Sequence, residues 1–199
     1  MNQIDITIFR MINNMAGFSK ISDDIGILFA KYLVYILALV MIYLWFSKRK
    51  DLQYRKMLTL SFISCVISEF VGKFIAGKIY FHLQPFAVLS NVHQLINKSV
   101  GNSFPSDHTI VFFSIMTIFF IYSKSKQRYW YLILATVVGL SRMFVGVHYP
   151  IDVFVGASIG TIISIITYEY LSTSKITNDI VIKIYKLENN IFKSRIDSN

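Results

Sequence analysis

The sequence predicts an all-α protein, a multi-spanning membrane helix bundle with about five transmembrane helices and an amphipathic helix at each terminus. Hydrophobic residues make up 54% of the 199 residues, which is more than a soluble domain usually carries. The mean hydropathy of +0.53 agrees with this excess. The apolar residues also form blocks of about 20 residues, the length that an α-helix needs to cross a hydrocarbon core about 30 Å thick.

Five apolar blocks are the predicted membrane helices, at roughly residues 25–46, 57–76, 108–122, 129–148 and 150–171. Before them, residues 1–20 mix apolar and polar side chains, which predicts an amphipathic helix lying in the membrane interface. After them, apolar residues recur at helical spacing between lysines, which predicts an amphipathic tail over residues 175–199. The sequence contains no internal repeat or flexible linker, so we treat residues 1–199 as one domain.

Charge patterning predicts the orientation of these helices. The formal net charge is +9, but the basic residues lie in short clusters between the apolar blocks, which favours membrane topology over nucleic-acid binding. They collect at residues 48–56, at residues 124–128 and in the tail, and cytoplasmic loops carry such an excess. We therefore expect a cell-membrane protein with a cytoplasmic carboxy terminus and with loops 77–107 and 146–151 facing outward. Cys65 is the only cysteine, so no disulfide within the chain and no thiolate metal cluster is expected.

The loop before the last apolar block holds the first group of candidate catalytic residues. Arg142, His148 and Asp152 lie near the outer ends of two apolar helices, where charged groups are costly and usually functional. Pro150 suits the first turn of a helix, which places His148 at the mouth of that helix and Asp152 one turn further in. The carboxylate then accepts a hydrogen bond from the imidazole and fixes its tautomer. A histidine held in this way is a competent nucleophile toward phosphorus.

A second group of polar residues leads into the third apolar block. Residues 101–108 read Gly-Asn-Ser-Phe-Pro-Ser-Asp-His and mark a helix amino terminus, where free backbone N–H groups attract an anion. Ser106 is placed to donate a hydrogen bond to a phosphate oxygen, and His108 is placed to protonate a leaving oxygen. Arg142 adds the fixed, bidentate charge that phosphate recognition favours. Together the two loops predict cleavage of a phosphate ester or anhydride.

These residues resemble the signature motifs of a known family. Pro105-Ser106-Asp107-His108, followed by Ser141-Arg142, five residues, His148, three residues and Asp152, resembles the second and third motifs of the type 2 phosphatidic acid phosphatase superfamily. The second motif of that superfamily usually reads Pro-Ser-Gly-His. Aspartate at position 107 resembles the bacitracin-resistance branch of its undecaprenyl pyrophosphate phosphatases. The resemblance covers most of the chain, because size, membrane spans and motif order all fit.

The resemblance implies a role for each matched residue. His148 attacks phosphorus to give a phosphohistidine, Asp152 orients His148, and His108 protonates the leaving group. Ser106 and Arg142 hold the phosphate, and water then releases the product. Neither a cofactor nor a metal is implied.

The first motif of the family is where this sequence departs. The family normally shows a lysine, a short spacer and then Arg-Pro, whereas residues 83–85 read Leu-Gln-Pro here. Gln84 therefore stands where the resemblance implies an arginine. For the family lysine, the spacing favours Lys78 over Lys73, and both stay open as phosphate-binding residues. Gln84, which can hydrogen-bond but carries no charge, is also a candidate phosphate-binding residue.

The favoured hypothesis from sequence is hydrolysis of undecaprenyl pyrophosphate to undecaprenyl phosphate and phosphate, which recycles the carrier lipid for cell-wall synthesis and confers bacitracin resistance. The expected partners are this polyprenyl pyrophosphate substrate and membrane lipids, with a second copy of the chain left open, and no nucleic acid is expected. An alternative with the same residues is a phosphatase for phosphatidic acid or phosphatidylglycerol phosphate. A third hypothesis, of a different class, is a non-catalytic lipid-phosphate binder.

Overall fold

The structure is a computed structural model that describes the backbone of residues 2–196 and the side chains of residues 2–190. The last three residues of the predicted tail, 197–199, lie outside the described part of the chain. Almost all of the described chain is helical, and its helices are α1 (Gln3–Asn13), α2 (Lys20–Ser47), α3 (Leu52–Ile79), the short α4 (Pro85–Val88), α5 (Asp107–Tyr122), α6 (Tyr129–Phe144), α7 (Pro150–Leu171) and α8 (Lys175–Ile196). Within α2 and α3, Leu28–Tyr32 and Val71–Ala76 are π-helical.

The five predicted spans correspond to α2, α3, α5, α6 and α7. Three of these helices, α2, α3 and α7, have 28, 28 and 22 residues and are long and apolar enough to cross a membrane. The helices α5 and α6 have 16 residues each, which at 1.5 Å per residue is about 24 Å, short of a full hydrocarbon core. The protein is therefore a multi-pass membrane protein with two shorter helices in its bundle.

The end of α6 differs from the prediction, which extended this helix to residue 148. The helix ends at Phe144, and Gly146 follows with a φ of 86°. This is the left-handed conformation that commonly terminates helices and that glycine adopts without strain. A Cβ atom at Gly146 would also lie 2.7 Å from the carbonyl oxygen of His93. His148 consequently lies in the loop between α6 and α7 and not on a helix.

The centre of the bundle is α5, which packs against α3, α6 and α7. Small residues allow the close approach of α5 and α7, because a Cβ atom at Gly160 would lie 2.9 Å from the backbone of Ile110 and Ser114. Ser164 adds hydrogen bonds across the bundle, to the carbonyl of Ser114 at 2.7 Å and to the hydroxyl of Ser64 at 2.6 Å. Such small and hydroxyl-bearing residues are how helices associate in a lipid environment.

The amino-terminal helix α1 packs against the loops at the end of the bundle where α5 and α7 begin. Its Phe9 is fully buried with its ring 5.6 Å from that of Tyr149. The side chain of Asn13 donates to the carbonyls of His93 and Phe144 at 3.0 and 2.9 Å. The predicted amphipathic helix is therefore present, and it fixes the loops on either side of His148.

The carboxy-terminal helix α8 lies at the opposite end of the bundle. Its Glu188 forms an ion pair with Arg55, whose side chain is fully buried at the start of α3. Trp45 donates to the same glutamate at 2.9 Å, and the guanidinium of Arg55 lies 4.6 Å from the Trp45 ring centroid. These contacts attach the tail helix to the ends of α2 and α3.

Candidate active site

His148 is held by the turn between α6 and α7. The backbone N–H of Val147 donates to the carbonyl of Arg142 at 3.1 Å, which folds the loop back on the end of α6. Tyr149 then takes the N-cap position and Pro150 the first position of α7. His148 is only 1% exposed as a result. The predicted placement of His148 at the mouth of the last membrane helix is confirmed.

Asp152 is the hydrogen-bond acceptor around which this site is organised. It is fully buried, and its Oδ2 accepts from the backbone N–H of Tyr149 at 2.9 Å and from the hydroxyl of Ser103 at 2.6 Å. The Nδ1 atom of His148 lies 3.3 Å from the same oxygen and 3.2 Å from the Ser103 hydroxyl oxygen. On the other side, Oδ1 lies 2.8 Å from Nε2 of His82, an ion pair rather than a well-aligned hydrogen bond.

This arrangement sets the tautomer and charge of His148. With Nδ1–H directed at Asp152 and Ser103, the opposite nitrogen, Nε2, carries the lone pair. Lys98 Nζ lies 2.9 Å from that atom and donates to it. Burial lowers the pKa of His148 to about 3; the charges of Lys98 and Arg142 act in the same direction, and the hydrogen bond and charge of Asp152 oppose them. At neutral pH the imidazole is therefore uncharged, as a nucleophile must be.

Arg142 lies in the last turn of α6, 3% exposed. Its Nη1 donates to the carbonyl of Ala30 in the π-helical segment of α2. The wider turn of a π-helix interrupts the regular backbone hydrogen bonds of the α-helix, so a carbonyl there can accept a hydrogen bond from a side chain. Among the described residues, its buried Nε has no hydrogen-bond partner. Arg142 is thus held rigidly at one nitrogen while another remains available for an oxygen of a ligand.

The amino terminus of α5 supplies Ser106 and His108. Ser106 is the fully buried N-cap of this helix, and its backbone N–H donates to the carbonyl of Asp152 at 3.1 Å. Its hydroxyl oxygen accepts from Thr109 at 3.0 Å, so its own proton is free to bind an anion. His108 is half-buried, and Arg142 and His148 both lie within electrostatic range of it. The structure therefore places both sequence motifs at the same end of the bundle.

The predicted phosphate-binding residues of the first motif differ from one another in burial and in hydrogen bonding. Gln84 is 1% exposed, and its Oε1 accepts from the backbone N–H of Gly101 at 3.0 Å, so it fixes the loop that precedes α5. Lys73 and Lys78 are both exposed, and Lys73 lies within electrostatic range of Glu69. In the part of the chain that the structure describes, neither lysine forms a hydrogen bond or an ion pair with His148 or Asp152.

Three residues near the site were not assigned a catalytic role from the sequence. Lys98 and Ser103 come from the loop between α4 and α5, and His82 comes from the segment after α3. Burial lowers the pKa of His82, but Asp152, together with Leu83 and Asp5, raises it, and the net shift is upward. The sequence offered one signal for Ser103, its position three residues before Ser106, and none for Lys98. The described residues contain no group of three or more His, Cys, Asp or Glu side chains arranged to hold a metal ion.

Known proteins are similar to this chain over most of its length. The chain is 35% identical over all of its length to the bacitracin transport permease protein BcrC of Bacillus licheniformis, of which it covers 96%. It is 28% identical to the undecaprenyl-diphosphatase BcrC of Bacillus subtilis, over 96% of this chain and 97% of that protein. Among solved structures, Aquifex aeolicus LpxE superposes with a TM-score of 0.69 at 29% identity, over 85% of this chain and 97% of LpxE. The family model of the PAP2 superfamily matches residues 56–176. The protein therefore belongs to the PAP2 superfamily.

Proposed function

We propose that the protein is a membrane phosphatase that hydrolyses undecaprenyl pyrophosphate to undecaprenyl phosphate and phosphate. The observation that carries this proposal is the buried, uncharged His148. Its Nδ1 faces Asp152 and Ser103, and its Nε2 faces a cluster of cations. A buried acid–histidine pair beside cations matches what attack on an anionic phosphorus requires.

The proposed reaction has two steps. Nε2 of His148 attacks the terminal phosphorus, the bond from that phosphorus to the bridging oxygen breaks, and His108, as an imidazolium, gives its proton to the undecaprenyl phosphate that leaves. Asp152 stabilises the imidazolium character that develops on His148. A water molecule, deprotonated by His108, then attacks the phosphohistidine and releases inorganic phosphate. The reaction ends with both histidines in their starting states.

In this proposal Arg142 and Ser106 bind the terminal phosphate. The unpaired Nε of Arg142 and the free hydroxyl proton of Ser106 both lie at the end of the bundle that carries His148. The amino terminus of α5 adds backbone N–H groups and a favourable helix dipole there. A phosphate bound in this position has its negative charge spread over donors from two different helices.

The substrate assignment rests on the relatives. The Bacillus subtilis relative is named an undecaprenyl-diphosphatase, whereas the Bacillus licheniformis relative is named for bacitracin transport. A transport role alone does not require a buried acid–histidine pair, so the site favours hydrolysis. Since bacitracin sequesters the same pyrophosphate lipid, hydrolysis also accounts for bacitracin resistance.

The orientation follows from the two ends of the bundle. The end opposite the site carries the basic loops 48–51 and 123–128 and the basic helix α8. Cytoplasmic segments carry such an excess of lysine and arginine. We therefore place the carboxy terminus in the cytoplasm and the active site at the outer face of the cell membrane.

The test is phosphate release from undecaprenyl pyrophosphate by the purified protein in detergent, with phosphatidic acid and phosphatidylglycerol phosphate assayed in parallel. His148→Ala is expected to abolish release, and His93→Ala is the matched control because His93 is exposed and lies outside the site. Substrate labelled on the terminal phosphate is expected to leave an acid-labile label on the wild-type protein. Faster release from either of the other lipids would contradict the substrate, and full activity of His148→Ala would contradict the mechanism.

A further inference from the structure

Lys98 is a charged residue that contacts the reacting atom of the site. It belongs to the loop between α4 and α5, and its Nζ is 2.9 Å from Nε2 of His148. The loop is held on both sides of Lys98, because Ile96 is buried in an apolar cluster and Gly101 donates to Gln84. The contact between Lys98 and His148 is therefore set by an anchored loop.

The ammonium of Lys98 has no close anionic partner among the described residues. The close contacts between basic and acidic side chains there join Arg55 with Glu188, His82 with Asp152 and His148 with Asp152, and none involves Lys98. Its charged surroundings are Arg142 on α6, Asp107 on α5 and Asp152 on α7. Lys98 itself is half-buried. A half-buried cation next to a second cation, without a bound carboxylate, is suited to receive an anion.

We propose that Lys98 binds the terminal phosphate of the substrate, and that in the empty site its ammonium caps the attacking nitrogen of His148. This inference rests on the proposed function for the identity of the natural substrate, but not for the binding of phosphate itself. In this proposal Lys98 supplies the positive charge that Gln84 cannot provide. Gln84 instead positions the loop that carries Lys98.

The cap links substrate binding to release of the nucleophile. While Lys98 donates to Nε2, the lone pair of His148 is occupied and cannot attack. A lysine carries its charge on a flexible four-carbon stem, so the ammonium can turn from the imidazole to a phosphate oxygen without movement of the backbone. An incoming phosphate thus attracts the group that blocks His148 and frees the lone pair at the moment when phosphorus arrives.

The protonation of Lys98 supports this role. Burial lowers its pKa to about 8, and the nearby charge of Arg142 acts in the same direction, against the opposing effects of Asp107 and Asp152. Below that pH the ammonium is charged and binds phosphate. As the pH rises through about 8 the charge is lost, and the affinity for phosphate falls with it.

The experiment measures binding of inorganic phosphate to the full-length protein in detergent by calorimetry, together with its inhibition of undecaprenyl pyrophosphate hydrolysis. In Lys98→Met the dissociation constant of phosphate is expected to rise by about tenfold or more, the effect of losing one charged hydrogen bond. Lys98→Arg keeps the charge and is expected to retain most of the affinity. Lys20→Met is the matched control, because Lys20 is an exposed lysine at the start of α2.

The pH dependence separates a direct role of Lys98 from a structural one. Wild-type phosphate binding is expected to weaken above pH of about 8. In Lys98→Arg this weakening is expected to begin at a higher pH, because arginine keeps its proton. Unchanged phosphate affinity in Lys98→Met, or loss of affinity in Lys78→Met instead, would overturn the proposal. If the wild type binds phosphate through Lys98 but does not cleave undecaprenyl pyrophosphate, the proposed function fails while the role of Lys98 stands.

Discussion

Replacement of Asp152 by asparagine tests the organisation of the site most directly. The side chain keeps its size and stays fully buried, but it loses its charge and gains an NH2 group. Three groups converge on the Oδ2 atom: the Tyr149 N–H at 2.9 Å, the Ser103 hydroxyl at 2.6 Å and His148 Nδ1 at 3.3 Å. An asparagine oxygen that keeps these donors must turn its NH2 group toward His82, whose Nε2 then loses the carboxylate oxygen that lies 2.8 Å away in the wild type.

The expected loss of activity follows from the same contacts. In a serine protease triad the equivalent change lowers kcat by about 10⁴, because the histidine adopts the wrong tautomer. Here the Ser103 hydroxyl also faces His148 Nδ1, at 3.2 Å, and preserves part of the orientation. We therefore expect kcat for phosphate release from undecaprenyl pyrophosphate to fall by roughly 10³ or more, which corresponds to about 4 kcal/mol in the activation free energy.

The assay is colorimetric detection of phosphate from purified Asp152→Asn in detergent, with substrate at saturating concentration. Asp24→Asn, an exposed aspartate of α2, is the matched control and is expected to behave as wild type. Thermal unfolding of both variants checks that the fold persists. If a folded Asp152→Asn retained a tenth or more of the wild-type kcat, Asp152 would not orient or stabilise His148, and the reasoning from the acceptor geometry would be wrong.

Four further predictions concern the site and the bundle. Ser103→Ala removes the 2.6 Å hydrogen bond to the carboxylate of Asp152 and is expected to lower kcat by about tenfold at a similar KM. Steady-state kinetics measures both constants, and an unchanged kcat would show that the Ser103 hydroxyl has no role in the reaction. Gly160→Ala places a methyl group 2.9 Å from the backbone of α5 and is expected to lower the unfolding temperature by several degrees, at a cost of about 1–3 kcal/mol. Glu188→Gln leaves the buried Arg55 without its ion pair and is expected to lower the unfolding temperature without changing KM, so a raised KM would contradict the assignment of α8 to a purely structural role. The rate of phosphate release is expected to stay the same in excess chelator, because a histidine and not a metal-bound water supplies the nucleophile. Loss of phosphate release in chelator, with recovery on addition of a divalent cation, would contradict this mechanism.

Features that depend on local spacing were predictable from the sequence. Apolar blocks of membrane-spanning length predicted the helices, because length and hydropathy alone decide whether a segment is stable in a hydrocarbon core. The pair of His148 and Asp152 was equally predictable, since Pro150 starts a helix and a spacing of four residues covers one turn. The end of α6 was missed because a local backbone conformation, at Gly146, stops the helix before the apolar pattern ends.

The groups that complete the site come together through tertiary contacts. Lys98 lies 50 residues from His148 in sequence, Ser103 lies 49 from Asp152, and the carbonyl that anchors Arg142 is 112 residues away. These partners come from an irregular loop and a π-helical segment, and neither has a periodic signature in the sequence. The spacing of lysines along the chain pointed to Lys78 and Lys73, whereas the folded loop brings Lys98 to the nucleophile. The physical reason is that a loop takes its path from packing and hydrogen bonds with distant residues, such as the bond from Gly101 to Gln84, and these do not exist until the bundle has formed.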